Sequence, residues 1–147
     1  MKIKVIFTGG TISSEISGKG ISVNSDKNSN KILINNFYTK TGLSDVEFNI
    51  SQPLNTLSEN VTIFDWNILL YELRKINFND YDGIIIAHGT DTLAYTTNML
   101  SIMLSGIDIP VVMVSSNYIL SDDRANGNDN FINAVFFISH SKYKGVY

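Results

Sequence analysis

Residues 84–93 read IIIAHGTDTL, and this stretch decides the fold class. Its first four residues form a short apolar run, which is typical of a strand buried on both faces of a sheet. The run stops abruptly at His88, and two threonines and an aspartate follow within the next four residues. In open parallel sheets, ligands bind beyond the carboxyl ends of the strands. We therefore expect a buried parallel strand with a functional turn behind it.

The other strand candidates end in the same way. Residues 3–7 form a β-rich run that stops at the polar turn 8–11, and the apolar run 110–114 stops at a pair of serines. Residues 46–50 alternate apolar and polar side chains, which predicts a half-buried strand. Residues 12–28 are rich in serine, glycine, asparagine and lysine and predict a mobile loop or a hairpin.

Helices are predicted between the strands, over residues 30–41, from Thr62, over 92–104 and over 131–138. Thr62 and Asp65 resemble a capping box at a helix start. Apolar residues then recur at three- and four-residue spacing and form one stripe: Ile63, Trp66, Leu69, Leu70, Leu73 and Ile76. The order βαβαβαβα predicts a three-layer α/β fold, with a mostly parallel sheet and helices on both faces, in one domain over residues 1–147.

Composition excludes several classes of function. The chain has 147 residues, a formal net charge of −3 and no run of lysine or arginine, so we expect neither a nucleic-acid nor a membrane partner. Residues 1–7 carry charges inside their apolar run, which is typical of a first strand rather than a signal peptide. The chain has no cysteine and two histidines, so we expect no zinc site and a cytoplasmic protein.

The polar turns allow more than one interpretation. Thr90 and Asp91 open a predicted helix, where either residue can act as a simple cap. Gly9 and Gly10 fit a tight turn or a phosphate cradle, but the third glycine of the dinucleotide fingerprint is missing, as is a Gly-Lys-Ser/Thr loop. We therefore expect no nucleotide and no other cofactor.

The two turns together suggest nucleophilic chemistry. Each places a threonine just beyond a buried strand, and one of them adds an aspartate. A threonine hydroxyl becomes a useful nucleophile when a neighbouring group removes its proton. Backbone N–H groups in glycine-containing turns are suited to stabilising an oxyanion.

Five segments, in chain order, resemble the N-terminal domain of the bacterial-type L-asparaginase family. They are IFTGGTI (6–12), LSENV (57–61), IIIAHGTDTLAYT (84–96), PVVMVSSN (110–117) and ANGNDNFINAV (125–135). The resemblance implies a flavodoxin- or Rossmann-like domain, a small amino-acid amide as substrate, and a homodimer or tetramer. The motifs do not distinguish asparagine from glutamine.

The resemblance also implies a role for six residues. Thr11 matches the nucleophile, and Thr90 with Asp91 matches the second catalytic cluster. Ser58, Glu59 and Asp91 match residues that hold the carboxylate and ammonium ends of the substrate. Ser116 matches the position whose backbone carbonyl accepts the leaving amide.

The sequence departs from the family pattern in three places. Residues 12–30 contain no tyrosine, although the family's loop there carries one that assists the nucleophile, and Asn126 replaces the usual aspartate. The family's catalytic lysine and its C-terminal domain follow the strand that begins near Gly145, where this chain stops. We therefore expect a truncated domain that is inactive or nearly so by itself. The alternative is a non-catalytic domain that binds small amino acids or serves in an assembly, as part of an amidotransferase.

Overall fold

The computed structural model describes residues 1–10, 12, 14–17, 20–23 and 28–147, with side chains for 1–10, 12 and 30–147. Strands and helices alternate along most of this part of the chain. The elements are β1 (Lys2–Phe7), β2 (Ser14–Ser17), β3 (Gly20–Val23), α1 (Asn28–Thr41), β4 (Glu47–Ser51), α2 (Ile63–Arg74), β5 (Gly83–Ala87), α3 (Leu93–Met103), β6 (Pro110–Val114), α4 (Gly127–His140) and β7 (Gly145–Val146).

Five strands form one parallel sheet in the order β4-β1-β5-β6-β7. After β1 the chain crosses to β4 on one side, and it later returns to β5 on the other side of β1. The reversal of direction lies between β1 and β5, which is the place where ligands bind in sheets of this kind. The predicted three-layer α/β fold is confirmed. Strands β2 and β3 pair antiparallel as a separate ribbon, which confirms the hairpin among the two alternatives for this segment.

Helices α1 and α4 cover one face of the sheet. Alternate residues of β1 and β5 point towards them, because side chains in a strand alternate between the faces. Phe37 of α1 and Phe131 of α4 are almost completely buried against this face. The layer is one apolar cluster that includes Ile3, Val5, Phe7, Leu33, Phe37, Ile85, Ala87, Phe131, Val135 and Ile138.

Helices α2 and α3 cover the opposite face. The cluster on this side is aliphatic and includes Ile6, Leu69, Leu73, Ile84, Ile86, Leu100 and Val111. Lys4 is also buried here, and its Nζ donates to Asn49 Oδ1 at 2.8 Å. Within the described residues, no helix is long and apolar enough to cross a membrane.

Three expectations about local structure need correction. Helix α4 begins at Gly127, four residues before the predicted start at residue 131, because the Gly127 N–H donates to Ser116 Oγ at 3.1 Å and thereby fixes the first turn. Ile63 is 71% exposed and does not belong to the buried stripe of α2, since it lies in the first turn, beyond the sheet. Strand β4 is mostly exposed rather than half-buried because it forms one edge of the sheet.

Candidate functional site

Two glycine-containing turns meet above the point where β1 and β5 lie side by side. Gly10 has a φ of +76°, and a Cβ placed on it would lie 2.5 Å from the Gly89 Cα. A Cβ on Gly89 would lie 2.5 Å from Ser58 Oγ. Glycine at position 10 therefore allows the turn behind β1 to approach the turn behind β5. Glycine at position 89 allows the turn behind β5 to approach the segment around Ser58.

Ser58 and Asp91 form the centre of the site. Ser58 lies in a short 3₁₀ turn, Ser58–Asn60, and is 2% exposed. Its hydroxyl donates to Asp91 Oδ2 at 3.0 Å and accepts the Asp91 N–H at 3.1 Å. Thr92 Oγ1 donates to the Ser58 carbonyl at 2.8 Å, which adds a third connection between these segments. A buried serine thus fixes a carboxylate that is otherwise exposed to solvent.

His88 follows β5 directly, at the start of the turn that carries Asp91, and is 2% exposed. Its Nδ1 is 2.8 Å from the Gly89 carbonyl, and its Nε2 is 3.1 Å from Thr96 Oγ1. Burial lowers the pKa of the imidazole, and the bond to the Gly89 carbonyl opposes that shift only in part. His88 is therefore neutral near pH 7 and supports the turn from inside.

Ser116 lies at the end of the neighbouring strand β6 and is 1% exposed. Its hydroxyl contacts the Tyr118 carbonyl and accepts the Gly127 N–H. Asn126 Oδ1 accepts the Asn117 N–H at 2.9 Å, so an amide oxygen meets the need for an acceptor at this position. These contacts hold the loop after β6 in place, and within the described chain they connect Ser116 to α4 rather than to Ser58 or Asp91.

The structure gathers most of the predicted site residues beyond the carboxyl ends of the strands, above β1 and β5. Ser58, Glu59, Thr90 and Asp91 all lie there, and Glu59 and Thr90 are exposed. The Thr90 carbonyl is 3.5 Å from the Leu93 N–H at the start of α3. Thr11, the predicted nucleophile, lies outside the described residues, so its role beside Thr90 stays a prediction.

Three contributors to the site were not identified from the sequence. Thr92 binds the Ser58 segment, and Thr96 connects His88 to Trp66, whose Nε1–H donates to Thr96 Oγ1 at 3.1 Å. From the sequence, Trp66 was predicted only as part of the apolar stripe of α2, in the core or at an interface. The spacing of His88, Thr92 and Thr96, four residues apart at a helix start, was the available signal. Among the described residues, no group of three or more ligating side chains is placed to hold a metal ion.

Comparison with known proteins agrees with this geometry. A family model described as "Asparaginase, N-terminal" matches residues 2–147. L-asparaginase 1 of Escherichia coli (strain K12) is 33% identical over 134 residues, which cover 91% of this chain and 39% of that protein. A glutamyl-tRNA(Gln) amidotransferase subunit of Thermoplasma acidophilum is 35% identical over 133 residues, which cover 85% of this chain and 30% of that protein.

A solved structure shows the same arrangement of elements. The thermostable L-asparaginase from Thermococcus kodakarensis superposes with a TM-score of 0.82 at 30% identity, covering 100% of this chain and 43% of that one. The chain therefore spans about two fifths of the length of the asparaginases it matches.

Proposed function

The chain belongs to the asparaginase family, and from that premise we propose that it carries the hydrolytic site of an enzyme that converts asparagine and water into aspartate and ammonia. The observation that carries this proposal is the contact between Ser58 and Asp91. These residues are 33 positions apart in sequence, yet they hydrogen-bond to each other twice at the reversal point of the sheet. A fixed hydroxyl beside an exposed carboxylate suits a ligand that carries both an ammonium and a carboxylate group.

The substrate's amino-acid end would bind at this pair. The Asp91 carboxylate uses one oxygen for Ser58, which leaves acceptor sites for an α-ammonium group, and the exposed Glu59 next to Ser58 adds a second negative charge. The Ser58 hydroxyl can rotate its proton from Asp91 to a substrate α-carboxylate once an ammonium group neutralises Asp91. The side-chain amide would then extend towards the turns behind β1 and β5.

Bond breaking would follow in two steps. Thr11 Oγ attacks the side-chain amide carbon, its proton passes to the leaving nitrogen, and ammonia departs to leave an acyl-enzyme. Water, oriented by Thr90, then hydrolyses the ester and regenerates the Thr11 hydroxyl. Backbone N–H groups of the glycine-containing turns would stabilise the oxyanion in both steps, and the Ser116 carbonyl would accept an N–H of the leaving amide.

The test is ammonia release from L-asparagine by the full-length protein and by three single variants. Thr11→Ala and Thr90→Ala should each lower kcat by at least about a hundredfold, since each removes a group that acts on the reacting atoms. Thr39→Ala is the matched control, because Thr39 is exposed on α1. Equal kcat in all four proteins would contradict the assigned roles.

We further propose that residues 1–147 by themselves turn over little substrate. The resemblance pairs Thr90 and Asp91 with a lysine, and Lys144 does not fit that role. It lies at the amino end of the parallel strand β7, whereas the site lies beyond the carboxyl ends of β1 and β5, and its Nζ is 2.9 Å from Asp108 Oδ1. A homodimer or tetramer that completes the site is part of the same proposal, and sedimentation velocity on the full-length protein tests it.

The second candidate function is a binding or assembly domain without turnover. The relatives that favour it are the glutamyl-tRNA(Gln) amidotransferase subunits, which are 33 to 35% identical to this chain. Calorimetry with aspartate and asparagine separates the two functions. Binding of both ligands without ammonia release from asparagine by the full-length protein would favour this second function.

A further inference from the structure

A chain of three hydrogen bonds runs from the helix layer into the turn behind β5. It begins at Trp66 of α2, passes through Thr96 of α3 and His88, and ends at the Gly89 carbonyl. The three distances are 3.1, 3.1 and 2.8 Å. Thr96 is fully buried and His88 almost so, and therefore bulk water is excluded from competing for the two bonds that His88 makes.

The chemistry of its two ends fixes the direction of every bond in this chain. The Trp66 indole N–H can only donate, so Thr96 Oγ1 accepts from it and has its own proton left to give. The Gly89 carbonyl can only accept, so His88 carries its proton on Nδ1. Nε2 is then a bare lone pair, and the Thr96 hydroxyl donates to it. Each group is satisfied, and only one arrangement of protons satisfies all of them.

This arrangement fixes the peptide group between Gly89 and Thr90. A peptide group is planar and trans, so its N–H points away from its carbonyl. Because the Gly89 carbonyl points inward to His88, the Thr90 N–H is directed away from the buried imidazole. A small rotation of this peptide would move both the Thr90 N–H and the Thr90 side chain.

We propose that Trp66, acting through Thr96 and His88, is a positioning residue that holds the Gly89–Thr90 peptide in the orientation the reaction needs. This inference rests on the proposed function of the same site. Packing alone does not account for the arrangement, because phenylalanine would fill a half-buried position at residue 66 without requiring an acceptor from α3. The indole N–H instead meets an acceptor whose second bond leads to the turn.

The first arm of the test examines the hydrogen-bond chain without reference to activity. Nitrogen NMR of full-length protein labelled at histidine nitrogens should show His88 protonated on Nδ1, with Nε2 hydrogen-bonded. In Thr96→Val, which replaces the hydroxyl by a methyl group, the Nε2 resonance should move to that of an unbonded lone pair, whereas in Thr96→Ser it should stay. A wild-type imidazole that carries its proton on Nε2 would overturn the inference.

The second arm examines catalysis with the same variants. Thr96→Val should lower kcat for asparagine about tenfold with KM changed less than about twofold, because a displaced peptide weakens transition-state contacts more than ground-state binding. Thr96→Ser should restore kcat, and Trp66→Phe should lower it to a lesser extent. Leu100→Val is the control, since it removes a methylene from a fully buried residue of the same helix and leaves the hydrogen-bond chain intact.

The outcomes separate this inference from the proposed function. An equal loss of kcat in Thr96→Val and in a Leu100→Val protein of matched melting temperature would show that loss of helix stability is the cause, and would overturn the positioning role. Unchanged kcat in Thr96→Val would overturn it as well. A wild-type protein that releases no ammonia from asparagine or glutamine would end the proposed function and the positioning role with it, while the NMR arm would still report whether the chain of bonds forms.

Discussion

The two helix layers bury different kinds of side chain against the same sheet. On the α1/α4 side, the rings of Phe37, Phe48 and Phe131 pack together with centroids 5.2 to 6.1 Å apart. On the α2/α3 side, aliphatic residues surround polar groups that are buried and hydrogen-bonded, among them Lys4 and Thr96. Aromatic packing contributes stability, whereas buried hydrogen bonds fix orientation.

The difference assigns separate tasks to the two layers. The hydrogen bonds from Trp66 and Thr96 reach the turn that carries Thr90 and Asp91, and they start in the α2/α3 layer. The aromatic cluster of the α1/α4 layer makes no such connection among the described residues. Substitutions in the α2/α3 layer should therefore impair the site at a small cost in stability. Substitutions in the α1/α4 layer should lower stability with less effect on the site.

The largest effect on stability is expected from Phe131→Ala in the α1/α4 layer. Phe131 is fully buried and contacts two other aromatic rings, so its truncation should lower the free energy of unfolding by about 3–5 kcal/mol. Urea denaturation measures this change. Phe136→Ala is the control, because Phe136 lies on the same helix and is 43% exposed. A similar loss in both variants would remove the distinction between the buried and exposed faces of α4.

Gly89→Ala should have the next largest effect, at the meeting point of the two turns. The added methyl would lie 2.5 Å from Ser58 Oγ and 2.6 Å from Ser58 Cβ, so it must displace the Ser58 segment. We expect a loss of about 1–3 kcal/mol in stability together with loss of aspartate binding. Thermal unfolding and calorimetry check the two parts. Unchanged aspartate affinity in this variant would show that the Ser58–Asp91 contact is not needed for binding.

His88 makes stability depend on pH. Burial lowers its pKa in the folded protein, so below about pH 6.5 the unfolded chain binds a proton that the folded chain does not. The stability contributed by neutral His88 is thus complete above that pH and is lost as the pH falls. We therefore expect the free energy of unfolding to decrease as the pH is lowered from 7 to 5.5. Urea denaturation of wild type and His88→Asn over this range should show a shallower pH dependence in the variant, and parallel curves would contradict the assignment.

The smallest effect is expected from Arg124→Ala in the loop after β6. The Arg124 guanidinium donates to both carboxylate oxygens of Asp122 and lowers the pKa of that carboxyl to about 2. Arg124 is exposed and Asp122 is partly exposed, so the variant should return the Asp122 pKa towards its ordinary value without a measurable change in melting temperature. Carbon-detected NMR titration and calorimetry measure the two quantities. A clear fall in melting temperature would show that this ion pair supports the loop.

The fold followed from the sequence because its signals are local. Apolar runs that end in polar turns predicted β1, β5 and β6, and the Thr62–Asp65 pair predicted the start of α2. In the structure the Asp65 carboxylate accepts both the N–H and the hydroxyl of Thr62, at 2.8 and 2.6 Å. Each of these features depends on residues a few positions apart, and therefore it can be recognised from the amino-acid sequence without the tertiary structure.

The missed features of the site depend on contacts between distant elements. Trp66 has the spacing of a core residue on α2, and only the packing of α2 against α3 shows that its indole N–H meets Thr96. The early start of α4 likewise depends on Ser116, eleven positions before Gly127. No period or motif within either element encodes such a partner. The motifs identified which residues gather beyond the carboxyl ends of the strands, but they did not identify the residues that hold them there.

The central claim is that Ser58 and Asp91 form the binding site for the amino-acid end of the substrate. Calorimetry with L-aspartate on full-length wild type, on Ser58→Ala and on the exposed control Ser101→Ala tests it most directly. We expect wild type and the control to bind equally, and Ser58→Ala to bind at least about tenfold more weakly, because the substrate carboxylate loses a charge-assisted hydrogen bond and Asp91 loses its partner. Equal affinity in all three proteins would contradict the claim.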